Sequence, residues 1–415
     1  MFQIYPSLDI DPKTYLPIPT VKLVSRDVIW QGLHVCATAV TVNENESILF
    51  DLPVGEASIR PAAYNVTRKK VVSYFQTGFN WYTEIFKTIA QTPDSSDIKL
   101  GILGNHAHGY KKIIVLNTLD AWYGHSLIYL FHLHKLIQNK PADIGIVVLI
   151  QPFLEWMIPQ NGVAEVWKAG IKLSEAKKYY PVLSQKINDQ LVRFDEVYLS
   201  ETPILADGFD ISFFTQVPVF SEERFGKPGN RITFIWREDK NRLWLKNYYL
   251  YGALKLLKWQ KILLPLQKAR VVWLFRKLRR LWGADVVFTI AGLGNYGKFP
   301  AWIADERTTD FDAATEKKLC HIYAESEIVA GIHGSGMILP SAHAGMTISM
   351  MPPKRWGNYA EDIIFQGEKT FDCLFRKRIV PLNMSLNELR DIFKSMRSGI
   401  EQFNQKVATA NRKSL

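Results

Sequence analysis

Ser326–Met351 reads SEIVAGIHGSGMILPSAHAGMTISMM. A short apolar run, Ile328-Val329-Ala330, leads into a turn of small residues: Gly331, His333, Gly334, Ser335 and Gly336. Met337 to Ala344 has helix length, Gly345 is a stop, and Thr347 to Met351 is a second apolar run. The spacing predicts a strand, a tight turn, a helix and a strand. Glycines at 331, 334 and 336 admit positive φ and let another group come close, because no Cβ stands in the way. Ser335 is expected to cap the helix and Gly345 to end it in the left-handed conformation. Such a turn aims N–H groups and the positive end of a helix dipole at one spot, where a phosphate or diphosphate is the usual occupant. A buried βαβ unit whose glycines serve only packing would read the same way.

Similar units lie on either side. Lys112–Leu116 (KIIVL) is a buried-strand run followed by a polar loop, 117–126, and the apolar helix Leu127–Leu136. Ile144–Ile150 (IGIVVLI) is a β-branched run of the kind buried on both faces of a parallel sheet. Further strands are expected at Phe194–Leu199, Arg231–Trp236 and Asp285–Ile290, with a long helical region from Leu243 to Leu281 and a charged helix at Ala313–Tyr323. Strands alternating with helices at this spacing mean doubly wound parallel sheets. Before Thr92 the chain is an irregular, turn-rich lead-in with strand-like alternation and one helix, Phe75–Ala90. FGKPGN at 225–230 marks a boundary. The expected division is 1–228 as an α/β domain with the β-rich lead-in, and 229–382 as a Rossmann-like domain. Residues 383–415 form an amphipathic helix that packs back on the first domain. Two such domains place a cleft at the carboxyl ends of their strands, where open α/β sheets bind ligands.

Composition sets outer limits. The chain has 415 residues, 47% hydrophobic and 22% charged, which reads as globular. Cys36, Cys320 and Cys373 are too scattered for a disulfide framework or a thiolate metal site. No targeting signal or apolar span of membrane length is visible, so the cytoplasm is the expected compartment. The net charge of +11 suggests a polyanionic partner. Nucleic acid is not favoured, because no stacking aromatics are interleaved in a recognised module.

The chemistry concentrates in two polar loops. Arg237 and Arg242 follow a strand, and guanidinium forks opposite a glycine turn suit a diphosphate, although Glu238 and Asp239 could simply pair with them. His125 begins a helix with Asp120 shortly before it, so a carboxylate could orient an imidazole that takes a proton from a hydroxyl; a capping His is the alternative. His106 and His108 lie in a polar loop without an assigned role. No set of residues has convincing metal-ligand spacing.

His333-Gly334-Ser335-Gly336-Met337 resembles the HGAGL-type motif of glycosyltransferase family sixty-one, and the R-x-x-x-x-R of Arg237 and Arg242 is similar to that family's paired arginines. Its members include xylosyl- and N-acetylglucosaminyltransferases and capsule-type relatives. The resemblance covers the second half of the chain. It implies a GT-B-like fold of two facing Rossmann-type domains, a nucleotide-sugar donor held by the C-terminal one, and inversion without a bound metal or other cofactor. Arg237, Arg242, His333, Gly334, Ser335 and Gly336 would bind the donor, and His125 with Asp120 would activate a glycan or lipid-linked acceptor in cell-surface polysaccharide synthesis. Ser335 and Met337 stand where the family usually has Ala and Leu, and Ile348-Ser349-Met350 lacks a glutamate often found there. A non-catalytic, transferase-like scaffold is the alternative reading.

The segment from Lys240 to Ala284 contains no acidic residue. Within 255–282, basic residues mix with Trp, Leu and Phe, the composition of a helix lying in an anionic membrane interface. The expectation is peripheral association with the inner face of the membrane; a core helix with a solvated basic face is the alternative.

Overall fold

The computed structural model describes residues 3–5, 21–23, 28–41, 45–58, 62–72, 80–104, 109–202, 208–238, 244, 260–310, 312–358 and 376–413. Arg242, His106, His108 and most of the expected helical region before 260 lie outside them. The chain divides into two compact units, Met1–Phe209 and Asp210–Leu415.

In the first unit the strands are β1 (Gln3–Tyr5), β2 (Val21–Leu23), β3 (Ile29–Trp30), β4 (Val35–Thr41), β5 (Ser47–Asp51), β6 (Ala63–Asn65), β7 (Lys70–Val72), β8 (Leu100–Leu103), β9 (Lys112–Asn117), β10 (Ile144–Ile150), β11 (Glu165–Ala169) and β12 (Glu196–Ser200). Its helices are α1 (Asn80–Ala90), α2 (Tyr123–Asn139) and α3 (Pro181–Leu191). One of its two sheets runs β1-β12-β9-β10-β11-β8, parallel except for β8. All seven residues of β10 are buried, as a continuous β-branched run in a central parallel strand should be. From β9 the chain moves to β10 and β11, then returns to β12 on the other side of β9. The order therefore reverses beside β9, and the loop leaving β9 sits at that reversal. The lead-in is more regular than its sequence suggests. Strands β2 to β7 form an antiparallel sheet, and Trp30, Val35 and Phe50 join Val115 and Val147 in one core.

The second unit holds α4 (Ile211–Thr215), β13 (Arg231–Trp236), α5 (Leu264–Trp282), β14 (Val287–Leu293), β15 (Ile303–Thr308), α6 (Ala313–Ala324), β16 (Ser326–Ile332), α7 (Ile338–His343), β17 (Met346–Met351), β18 (Lys377–Pro381) and α8 (Leu386–Lys413). Its sheet is wholly parallel, ordered β15-β14-β13-β16-β17-β18. Counted from β13 this is 3-2-1-4-5-6, the order of dinucleotide-binding folds, whose ligand crevice opens between strands 1 and 4. Here those strands are β13 and β16.

The division falls at 209/210 rather than 228/229 because the intervening residues pack on the second unit. Phe220 and Phe225 are in its core, Thr215 Oγ1 lies 3.2 Å from His343 Nε2, and the Gly226 N–H donates to Glu327 Oε1 at 3.2 Å. The closing helix, expected to return to the first domain, instead buries Leu389, Phe393, Met396 and Ile400 in the second unit's core. An ion pair secures it: Arg397 Nε is 3.1 Å from Glu327 Oε1, while Asn230 Nδ2 donates to Glu327 Oε2 at 2.7 Å.

Candidate active site

The turn after β16 is built differently from its sequence reading. Gly334 takes a φ of +140°, which a residue with a Cβ rarely adopts. A 3-10 turn, Ser335–Met337, follows it, and no side chain caps either that turn or α7. Ser335 is therefore inside the turn rather than its cap. At six residues, α7 is too short to carry much of a macrodipole. Gly345 does not take a left-handed φ. It is required by packing, since a Cβ there would lie 2.7 Å from Phe220 Cδ1 and 2.9 Å from Phe225 Cε1. Gly331 is likewise a packing glycine, with Met337 Sδ 2.5 Å from its missing Cβ.

Arg237 leaves the end of β13 and turns toward this loop. A Cβ on Gly336 would lie 3.5 Å from its Nη1 and 3.9 Å from its Cζ, so the guanidinium and the glycine turn share one side of the crevice between β13 and β16. Glu238 does not occupy that space. Its Oε1 accepts from the Trp236 indole N–H at 2.8 Å and from the Tyr296 N–H at 2.7 Å, with Arg307 Nη1 at 3.7 Å. Arg307 in turn donates to the Tyr296 and Gly297 carbonyls and to Asp305, and its side-chain bond to Asp305 holds that carboxyl below the usual carboxylate range. Gln267, fully buried on α5, donates to the Arg237 carbonyl at 3.0 Å and accepts from the Trp244 N–H at 2.7 Å. It thus ties the end of β13 to Trp244. Neither Arg307 nor Gln267 is prominent in the sequence; a lone Gln on the apolar face of a helix was the available signal.

His333 lies wholly out of solvent, with Nδ1 2.9 Å from Ser349 Oγ, and its N–H donates to the Met350 carbonyl at 2.9 Å. Through Nδ1 the ring ties the turn to β17. Ser349 also lines a small cleft with Met337, Ser341, Thr347, Lys377 and Arg378.

In the first unit the loop after β9 brings His125 and Asp120 together, Nδ1 to Oδ2 at 3.2 Å. Asp120 is buried, and its Oδ1 accepts the Trp122 N–H at 2.8 Å, which sets the turn into α2. Gln151, at the end of β10, accepts the Asp120 N–H at 3.2 Å and lies 3.4 Å from Ser126 Oγ. Helix α2 begins at Tyr123, earlier than the apolar run suggests, so His125 is in its first turn with a quarter of its side chain exposed. The Trp122 ring lies 5.3 Å from the His125 ring, and the Lys177 ammonium is 4.5 Å from the Trp122 centroid. An Nδ1–H directed at a buried carboxylate makes Nε2 the basic nitrogen, the tautomer a proton acceptor needs.

No protein-family model and no curated protein matches the chain. Among solved structures, the E. coli ADP-heptose LPS heptosyltransferase II matches over 70% of this chain and 99% of that one, at 10% identity and a TM-score of 0.40. A likeness of that size carries no argument about chemistry, and the family-sixty-one resemblance of the HGSGM motif gains no support from these comparisons. Among the described residues, no group of three His, Cys, Asp or Glu is arranged to hold a metal ion.

Proposed function

We propose that the chain is a glycosyltransferase of GT-B type that moves a sugar from a nucleotide-sugar donor to a glycan or lipid-linked acceptor, with inversion and without a metal. The observation that carries the reading is the Arg237 guanidinium over the Gly336 turn at the β13/β16 crevice. A diphosphate seated there would meet the guanidinium fork and the early N–H groups of the 3-10 turn, which have no intrahelical acceptor. Because α7 is short, the guanidinium is the main source of positive charge, and Arg242 would add to it.

In this reading Arg237 and the glycine turn bind the donor diphosphate, and His125 is the proposed base. His125 Nε2 takes the proton from the acceptor hydroxyl as its oxygen attacks the anomeric carbon from the face opposite the leaving group. The bond from that carbon to the diphosphate oxygen breaks, and the nucleoside diphosphate leaves with charge that Arg237 and the turn stabilise where it develops. Asp120 holds the ring orientation and stabilises the imidazolium. His333 enters as a positioning residue that keeps the turn against β17.

A panel of nucleotide sugars, incubated with the protein and saccharide or lipid-linked acceptors in the presence of chelator, tests the proposal. Release of nucleoside diphosphate with transfer is the expected result. Strict dependence on added divalent metal would overturn the mechanism. Calorimetric titration with UDP, GDP and ADP separates catalysis from a scaffold role, since a scaffold with no donor site binds none of them.

A further inference from the structure

Helix α5 has two unlike faces. Leu264, Val271, Leu274, Phe275 and Leu278 are buried in the second unit's core, so much of the apolar sequence expected to meet a membrane faces inward instead. The outward line is different. Positions 262, 266, 269, 273, 276 and 280 follow one another at spacings of four and three, which places them along one side of the helix and its preceding turn. At its start stand Ile262, 61% exposed, Leu266, 53% exposed, and Trp273, 55% exposed. Toward its end stand exposed Arg276 and Arg280, with the Lys277 ammonium 5.2 Å from the Trp273 ring. The helix carries no acidic residue.

The other cations of α5 are engaged within the unit. Arg270 stacks on Trp244 at 4.6 Å and donates to the Met384 carbonyl, and Arg279 stacks on Trp302 at 5.0 Å. Lys268, Arg270 and Arg279 thus have aromatic partners within the unit, Arg279 while staying exposed, and Arg276 and Arg280 continue the line of exposed apolar residues with half-buried Lys277 beside them.

We propose that this face of α5 docks on a bilayer surface containing anionic phospholipid. Ile262, Leu266 and Trp273 enter the headgroup boundary, and Arg276, Lys277 and Arg280 meet lipid phosphates. From 262 to 280 the line is about 27 Å long if helical throughout, a straight contact suited to a flat surface. Large apolar side chains in line with cations, on a helix free of carboxylates, match the chemistry of an anionic interface. The contact is peripheral, since no helix among the described residues is long and apolar enough to cross a membrane. The inference is independent of the transferase reading.

Sedimentation of the full chain with phosphatidylcholine vesicles, with and without phosphatidylglycerol, tests it. The expected result is cosedimentation with the anionic vesicles at low salt only. Joint replacement Arg276→Glu and Arg280→Glu, or separately Leu266→Ser and Trp273→Ser, should weaken partitioning by about tenfold or more. These positions are exposed, so far-ultraviolet circular dichroism should match the parent. The tryptophan emission difference between the parent and Trp273→Phe should shift to the blue on anionic vesicles, a readout that needs no destabilising substitution. The proposal fails if the parent chain stays in the supernatant with anionic vesicles, or if both double variants sediment as the parent does. In either outcome the face is a protein contact or a solvated surface.

Discussion

Arg237 Nη1 lies 3.5 Å from the point a Cβ on Gly336 would occupy, an ordinary contact distance. Gly336→Ala should therefore fold as the parent does while filling the space in which a phosphate would approach the turn. We expect unchanged thermal unfolding but nucleoside diphosphate binding weakened about tenfold, or about 1.4 kcal/mol, by calorimetry. Gly331→Ala is the contrast. Its Cβ would meet Met337 Sδ at 2.5 Å and Ile235 Cβ at 2.9 Å, so it should lose about 1–3 kcal/mol of stability through overpacking.

Removing the guanidinium probes the leaving group directly. Arg237→Ala should lower kcat by roughly 10²–10³, the usual effect of deleting a transition-state charge partner. Arg237→Lys should recover only part of this, because an ammonium cannot form the bidentate fork. Equal activity of the alanine variant and the parent would remove Arg237 from the mechanism.

The base is tested by its pH profile. His125→Ala should reduce transfer by about 10²–10⁴ while leaving donor binding intact. A general base must be neutral to accept a proton, so the parent's rate should fall toward acid pH, and that acid limb should vanish in the variant. Asp120→Asn should retain the helix start but lose orientation of the ring, lowering kcat more than it changes acceptor KM.

The sequence showed more of the scaffold than of the machinery. IGIVVLI, RITFIW and SEIVAGI are central parallel strands, and an uninterrupted apolar run is what two buried faces require. The edge strand Ile303–Thr308 was not legible, because IADERT carries charges at positions where an edge is open to solvent. The pairing of His125 with Asp120 could be read from spacing, since both lie on one loop. Gln267, Gln151 and Arg307 could not, because each acts on a partner far away in the chain. The misread roles of Ser335 and Gly345 have one cause. Capping and left-handed closure are local expectations, whereas packing against β13, Phe220 and Phe225 set the local backbone.

His343 gives a stability test apart from catalysis. Burial pushes its pKa from the usual 6.5 down to about 4. The native ring stays neutral while the unfolded one protonates below about 6.5, so this contribution is complete above that pH and is lost as pH falls toward 4. At about 1.4 kcal/mol per pH unit the loss approaches 3 kcal/mol. Glu327 works in the opposite sense, because burial raises its carboxyl and its ionisation costs stability as pH rises. Comparing unfolding midpoints of the parent and His343→Gln between pH 7 and pH 4 isolates the histidine; equal slopes would remove it.

The bond between Glu327 and Arg397 also bears on the order in which the chain acquires structure during synthesis. Glu327 is wholly buried on β16, and until α8 has been made its carboxylate lacks the guanidinium that neutralises it. Leaving such a charge unmatched in a core costs roughly 3–5 kcal/mol. The first unit has all its described strands by Ser200 and is complete enough to fold while the ribosome is still translating. The second must wait until residues near 400 have cleared the exit tunnel, so a ribosome stalled before Arg397 would display a folded first half beside a second half open to proteases.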